Sequence, residues 1–328
     1  MKEIVISNEF SNQRVDKYVR KYLNEAPLSF IYKLFRKKDV KVNNHWVKEN
    51  YLLQPNDVLR IYVTDEQLEE FNKPKIVKNI SFKDLDIVYE DKNILIINKP
   101  KGILVHGDIN EKRMTLTNKV QSYILSKGEQ NDFLCSPVHR LDRNTSGLVI
   151  FAKNFKSSQY FMGLLKEKQQ IEKYYLCLVV GKMEGNGTIS IPLYKDESRG
   201  MVFKGNIKDG AKEAITKYNV IGTNNEYSLV EVQILTGRTH QIRAHFKEIN
   251  HPLVGDGKYG DFKINKEFNS EFDYDSQFLH AYKIKFNNLD GDFKYLSKKV
   301  FVSPLNNKEK EILNKLNIPM KSQLFMDI

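Results

Sequence analysis

Cysteine is nearly absent from this chain. Two occur in 328 residues, Cys135 and Cys177, with no CxxC pair. That argues against a disulfide scaffold and a zinc ribbon, and both thiols, in apolar contexts, are expected in the core. No run approaches the roughly 18 apolar residues needed to span a bilayer, so no membrane partner is expected. The opening Met1-Lys2-Glu3-Ile4-Val5-Ile6 is too short and too acidic for a signal peptide, and a cytoplasmic location is the expectation. Also missing are the HExxH spacing of a metalloprotease, a P-loop, and a GxGxxG turn after a strand. His240 and His245 stand five apart, which does not place them on one helical face for a metal, and none is expected. No internal repeat or heptad pattern occurs, so a monomer is expected. Acidic residues are in deficit, with 41 Asp+Glu against 52 Lys+Arg and a formal net charge of +11. Such an excess points to a polyanion partner such as nucleic acid or an anionic surface.

The length allows two or three domains, each with its own core. Ile4 and Ile6 alternate with polar residues, as in a short edge strand. Val15, Tyr18, Val19 and Tyr22 recur at helical spacing with Arg14, Lys17 and Lys21 off that face. Pro27 closes this segment, and Ser29 is expected to cap a second helix with Ile31, Leu34 and Phe35 inside and Lys33, Arg36 and Lys37 outside. Strands follow at Val40-Lys41-Val42 and at Leu59 to Val63. Residues 65 to 80, with an acidic patch and then Lys73-Pro74-Lys75, read as a linker. Beyond it, Ile87 to Tyr89, Ile94 to Ile97, Lys173 to Val180, Thr216 to Val220 and Tyr227 to Val232 read as strands. Leu116 to Leu125, Lys156 to Gln170, Arg238 to Glu248 and Asn307 to Asn317 read as helices. Lys99-Pro100-Lys101-Gly102 reads as a turn, and a hairpin excursion is expected in 185 to 210. Strand content dominates, which gives an α+β class around a largely antiparallel sheet.

The stretch Pro137-Val138-His139-Arg140-Leu141-Asp142-Arg143-Asn144-Thr145-Ser146-Gly147 holds one acid between two arginines, ahead of the apolar run Leu148 to Ala152. Asn, Thr and Ser bond nearby backbone and Gly tolerates positive φ, so such a loop fixes a carboxylate at the mouth of a sheet. On spacing alone the plainer reading comes first, in which Asp142 caps a turn and the arginines are solvated.

His139-Arg140-Leu141-Asp142 with Thr145-Ser146-Gly147 resembles the signature loop of the RluA-type pseudouridine synthases. Further blocks fall in the family's order: Glu172-Lys173-Tyr174-Tyr175, Leu235 to His245 with Gly237-Arg238-Thr239-His240-Gln241-Ile242-Arg243, His251 to Asp256 with Tyr259-Gly260, and Leu279-His280-Ala281. Residues 13 to 64 separately resemble the S4 RNA-binding domain, through Arg14-Val15-Asp16, Ser29, Arg36-Lys37-Lys38, Val40 to Asn43 and Asp57. The expected organisation is an S4-like α/β domain over 1–64, a linker over 65–80 and a synthase domain over 81–328.

The resemblance implies an isomerase. It breaks the C1′–N1 bond of a uridine in RNA, turns the base and rejoins it through C5, with no cofactor. It implies Asp142 as the acting carboxylate, Arg243 as its ion-pair partner and Tyr175 stacked on the uracil; Tyr174 points to the other side of its strand. Arg140 is expected to take the place of the extruded nucleotide or grip its phosphate, and Arg238 to brace the loop or contact phosphate. On the S4-like domain Arg14, Lys17, Lys33, Arg36 and Lys37 would meet RNA phosphates. Asn144 stands where the family often has Asp, which removes a charge but keeps the turn. Asp256 and Tyr259 are expected to form a structural turn. His106-Gly107 resembles the branch that modifies large-subunit ribosomal RNA, so 23S rRNA is the expected partner. A tRNA-directed synthase and a non-catalytic rRNA-binding assembly factor are the alternatives.

Overall fold

Short alternating segments at the N-terminus build a four-stranded antiparallel sheet carrying two helices. The computed structural model describes residues 1–7, 10–72, 80–108, 111, 113–128, 133–167 and 170–319; Lys73-Pro74-Lys75 of the expected linker lie outside these. Two compact units form, from residues 1–79 with 154–156 and from residues 80–153 with 157–328. The first contains β1 (Lys2–Val5), α1 (Val15–Tyr22), α2 (Leu28–Arg36), β2 (Val40–Val42), β3 (His45–Trp46), β4 (Val58–Ile61) and α3 (Asp65–Phe71). Its strand order is β1-β4-β2-β3.

Val15 and Val19 of α1 are buried, as are Ile31, Leu34 and Phe35 of α2, which matches their helical spacing. Arg14, Lys17, Lys33, Arg36 and Lys37 are exposed. Arg14 is not free, since its Nε and Nη2 reach the Asp16 carboxylate at 3.0 and 2.8 Å. Asp57 staples this unit by accepting from Asn43 Nδ2 at 2.7 Å, Tyr51 OH at 3.0 Å and the Gln54 amide at 2.7 Å.

Two local expectations need correction. Pro27, not Ser29, precedes α2; its φ of −58° already suits a helix start, and Ser29 falls in the first turn. The acidic patch is helical as α3, not an open linker. Thr64 and Gln67 form a reciprocal capping box, and Asp65 and Glu66 sit where the helix N-terminus favours acids. The Phe71 carbonyl accepts the Glu25 amide at 3.0 Å and its ring lies 4.8 Å from Phe30, so α3 belongs to the first unit.

The second unit contains β5 (Asp86–Glu90), β6 (Ile94–Lys99), α4 (Leu116–Ser126), β7 (Ser136–Pro137), β8 (Ser146–Ala152), α5 (Phe155–Glu167), β9 (Ile171–Val180), β10 (Asn186–Ser190), β11 (Leu193–Asp196), β12 (Met201–Lys204), β13 (Ile215–Thr223), β14 (Tyr227–Ile234), α6 (Gln241–Glu248), α7 (Phe262–Phe272), β15 (Leu279–Phe286), β16 (Val300–Val302) and α8 (Asn307–Lys315). The main path of its large sheet runs β10-β13-β14-β9-β15-β8-β6-β5, with β16 beside β15 and β7 beside β8. The β15–β8 pair is parallel and the others are antiparallel. β11 and β12 form a separate hairpin within the expected excursion.

Both faces of the sheet are covered, which explains the unbroken apolar run of β8, buried at every position. On one face Leu95, Ile97, Val149, Phe151, Tyr175 and Cys177 pack with Val120 of α4 and with Ile242 and Phe246 of α6. On the other, Ile94, Ile96, Leu148 and Ile150 pack with Phe161 and Leu164 of α5, while Leu176 and Leu178 pack with residues of α7 and α8. No helix among the described residues is long and apolar enough to cross a membrane.

Gly147 makes the parallel pairing possible. Its φ is +109°, and a Cβ there would stand 2.2 Å from the Ala281 carbonyl oxygen. The neighbouring Ser146 hydroxyl bonds His280 Nδ1 at 2.9 Å, and His280 Nε2 bonds the Ser303 carbonyl at 2.9 Å. Gly147→Ala is therefore expected to lower stability by about 3 kcal/mol, combining backbone strain with overpacking. Denaturant unfolding checks it; an unchanged midpoint would mean that β15 yields without cost.

Candidate active site

The turn between β7 and β8 carries Asp142 at the mouth of the sheet. The Thr145 amide donates to the Asp142 carbonyl at 3.1 Å and closes the turn. Lys99, at the end of β6, is fully buried. Its ammonium donates to the carbonyls of Pro100 at 2.9 Å, Ile103 at 3.0 Å and Arg143 at 2.9 Å. It thus pins the Asp142 loop to the neighbouring strand. Burial pushes its pKa down to about 7 against the upward pull of Asp142. From the sequence, Lys99 is expected only as part of a turn.

Asp142 is not held between Arg140 and Arg143. Arg143 turns toward Asp108, with Nη2 3.7 Å from its carboxylate, and Arg140 is exposed at the rim. Its partner is Arg243, whose Nη1 lies 3.0 Å from Asp142 Oδ2. Arg243 is buried and its other two nitrogens each donate to Asp256, Nε at 2.6 Å and Nη2 at 2.8 Å. Burial opposes the guanidinium charge, but the bonds and charge of Asp256, and then Asp142, raise its pKa. Asp256 is 1% exposed and also accepts the amides of Lys258 at 2.9 Å and Tyr259 at 3.0 Å. The expected structural turn exists, and the same carboxylate aims the arginine as well.

α6 begins at Gln241, later than the expected Arg238. The approach is irregular because Gln241 ties it down. Its side-chain oxygen accepts from the Thr236 hydroxyl at 2.8 Å and the Arg238 amide at 3.0 Å, and its nitrogen donates to the Ile215 carbonyl and Thr216 hydroxyl, both at 3.0 Å. Arg238 Nε donates to the Glu213 carbonyl at 2.9 Å. His240 stands just before the helix with φ 50° and ψ 20°, the left-handed region. Its Nδ1 meets Tyr259 OH at 2.9 Å and its Nε2 lies 3.8 Å from Asp142 Oδ2.

Tyr175 is 5% exposed and lies on the α6 side of β9. Burial, then the charge of Asp142, raises its hydroxyl pKa. Tyr174 is on the opposite side, bonded to Glu172 and packed near Lys283. Lys173 shares the Tyr175 side, as period-two alternation requires, and burial pushes it down to about 8. His139 Nε2 accepts the Ile150 amide at 3.2 Å, which makes it a pin between loop and strand; burial takes it down to about 3.

These side chains line a cleft of about 510 Å³ within the second unit. Asp142, Tyr175, Arg243, Arg140 and Arg238 all face it, together with His240. Arg14, Lys17, Lys33, Arg36 and Lys37 belong to the first unit. The cleft joins one carboxylate oriented by a fixed cation, a large aromatic wall and cations at the rim. Such a set suits a flat base attached to an anionic backbone.

A family model described as RNA pseudouridylate synthase matches residues 93–248. An uncharacterized RNA pseudouridine synthase of Mycoplasma capricolum is 35% identical over 316 residues, covering 92% of this chain and 97% of that protein. The ribosomal large subunit pseudouridine synthase C of Vibrio cholerae is 34% identical over 287 residues, covering 86% and 88%. The solved structure of human RNA Pseudouridylate Synthase Domain Containing 4 is similar in fold, with TM-score 0.59 and 24% identity over 72% of this chain and 95% of that one.

Proposed function

This chain belongs to the RNA pseudouridylate synthase family, and from that premise we propose that it isomerises specific uridines of large-subunit ribosomal RNA, with Asp142 as the acting carboxylate. It is an isomerase, an RNA pseudouridine synthase. The observation that carries the site assignment is the ion-pair chain from Asp142 through Arg243 to Asp256 in the Tyr175 cleft. In this reading Arg243 orients Asp142 toward the sugar or base, and Tyr175 stacks on the uracil. Arg140, exposed at the rim, fills the space of the flipped nucleotide or grips its phosphate. Arg238 braces the loop through Glu213, the first of its two expected roles.

Residues 1–64 act as an S4-like RNA-binding domain, with Lys17, Lys33, Arg36 and Lys37 exposed to phosphates and Arg14 fixed by Asp16. Residues 81–328 form the catalytic domain. The name of the Vibrio cholerae relative supports the large-subunit substrate, and a ribosomal substrate fits a cytoplasmic enzyme. Mapping pseudouridine across total RNA with and without the gene tests this. Loss of discrete large-subunit sites is expected; loss confined to tRNA would move the substrate, and no loss anywhere would overturn the reading.

A prediction separates stacking from hydroxyl chemistry at Tyr175. Tyr175→Phe is expected to keep single-turnover conversion within a few-fold. Tyr175→Ser loses the ring and about 1–3 kcal/mol of base contact, roughly 5- to 150-fold. A Phe variant as poor as Ser would assign the work to the hydroxyl instead.

A further inference from the structure

One exposed strip of the first unit serves neither its core nor its helix cations. Asn43 and Asn44 both take positive φ, 49° and 69°, as in the two-residue turn whose twist matches a hairpin. That turn sets the register of β2 and β3, so that Trp46 stands opposite Lys41. Lys41 in turn stands opposite Arg60 of β4. Val40, Val42, Leu59 and Ile61 are buried, and period-two alternation sends Lys41, Arg60 and Tyr62 to the other face of the sheet.

Two aromatic rings lie open along this strip, Trp46 at 44% exposed and Tyr62 at 39%. Trp46 is the single tryptophan of the chain, and it stays in water although an indole gains much from burial. Its placement is held, since Nε1 donates to the Phe35 carbonyl at 3.4 Å. Each ring has its own lysine. Lys38 Nζ stands 5.3 Å from the centroid of Trp46, and Lys41 Nζ 5.1 Å from that of Tyr62. Lys38 does so from a backbone with φ 62°, uncommon for a non-glycine residue. Neither ammonium meets a carboxylate among the described residues. Glu3, on the same face, is taken by Arg60 Nε at 2.6 Å. A single exposed aromatic needs no explanation. Two rings alternating with two cations match a single-stranded nucleic acid, whose bases alternate with phosphates.

We propose that this strip binds an unpaired stretch of the substrate RNA, with Trp46 and Tyr62 stacked on bases and Lys38 and Lys41 on the phosphates beside them. This rests on the reading of residues 1–64 as an RNA-binding domain. The helix cations Lys17, Lys33, Arg36 and Lys37 meet phosphates whether or not the bases are paired. The rings add a preference for strands whose bases are free, because a duplex keeps its bases stacked on one another. Such a preference brings the enzyme to loops, where extruding the target uridine costs least.

The single tryptophan supplies the test. Its emission, excited beyond the tyrosine absorption, reports on Trp46 alone. Full-length protein is titrated with a single-stranded oligouridine and with an RNA duplex of equal length. The single strand is expected to quench the emission and the duplex to leave it nearly unchanged. Trp46→Leu is expected to weaken single-strand binding roughly 5- to 150-fold. The salt dependence of what remains should not change, since no phosphate contact is lost. Lys41→Ala is expected to lower that salt slope by about 0.7. Trp46→Phe keeps a ring and is expected to bind close to wild type. Emission unmoved by the single strand, or moved equally by the duplex, overturns the proposal, and this arm needs no variant to fold. Single-strand binding by Trp46→Leu within about two-fold of wild type overturns it as well. So does emission that shifts with protein concentration before RNA is added, which would make the strip an interface between copies of the chain. Arg36→Ala with Lys37→Ala, run in parallel, separates the two readings. If that variant binds both RNAs more weakly while wild-type emission stays still, only the strip falls. If neither it nor Trp46→Leu alters affinity for either RNA, the RNA-binding reading of residues 1–64 fails and the proposal with it.

Discussion

Asp142→Asn is expected to lower single-turnover conversion on the order of 10⁴-fold, as loss of a nucleophile does elsewhere, while RNA affinity stays near that of the wild type. The amide matches the carboxylate in size, and its oxygen still accepts from Arg243 Nη1, now at 3.0 Å from Oδ2. The side chain is 23% exposed, so the fold loses little when its charge goes. What disappears is the ability to attack or stabilise the sugar or base and then leave. Affinity is expected to survive because phosphates, met by the rim and surface cations, supply most of it. Filter binding and single-turnover assays on the same RNA check both halves. Conversion within ten-fold of wild type would remove Asp142 from the chemistry. Unchanged conversion together with weaker binding would make it a contact residue.

The parts of this architecture that were legible in the sequence are those fixed by short-range patterns. Period-two alternation assigned Tyr175 and Tyr174 to opposite sides of β9, and they lie so. The Leu148 to Ala152 run was readable as a strand, and its burial on both sides followed from covered faces. Asp142 and Arg243 were paired through motif resemblance, although 101 positions separate them. Local spacing instead placed Asp142 between Arg140 and Arg143, and this failed because adjacent side chains on a turn diverge. Asp256 was readable as a turn acid. Its grip on Arg243 was not, because it depends on how that turn meets α6. Lys99 looked like a turn lysine. Only the approach of the Pro100, Ile103 and Arg143 carbonyls makes burying its ammonium tolerable. The left-handed backbone of His240 has no signature in composition; its ring meets Tyr259, and the neighbouring Gln241 ties down the approach to α6.

Asp256→Asn is expected to cost about 3–5 kcal/mol, a large share of an ordinary domain's stability. Arg243 would remain buried as a cation with its two strongest contacts, at 2.6 and 2.8 Å, weakened or broken. The amides of Lys258 and Tyr259 already share Oδ1 with Arg243 Nη2, so an asparagine with its oxygen there turns its amide nitrogen on Arg243 Nε, donor against donor. Activity should fall too, because Arg243 would lose the fork that fixes its plane relative to Asp142. Removing both charges, with Asp256→Asn and Arg243→Met together, is expected to recover part of the stability and none of the activity, since the cost lies in a buried charge without a partner. Acid titration adds a second test. Burial works against the Asp256 charge, yet the bonds and charge of Arg243 hold its carboxyl below the usual range. A carboxyl whose folded pKa is depressed stabilises fully above its unfolded value, and loses that contribution as pH falls through the folded one. The stability gap between wild type and Asp256→Asn should therefore be widest near neutrality and narrow below about pH 4. A gap that stays constant into acid would mean that Asp256 acts through shape and hydrogen bonding alone, and that Arg243 needs no charged partner to hold its place.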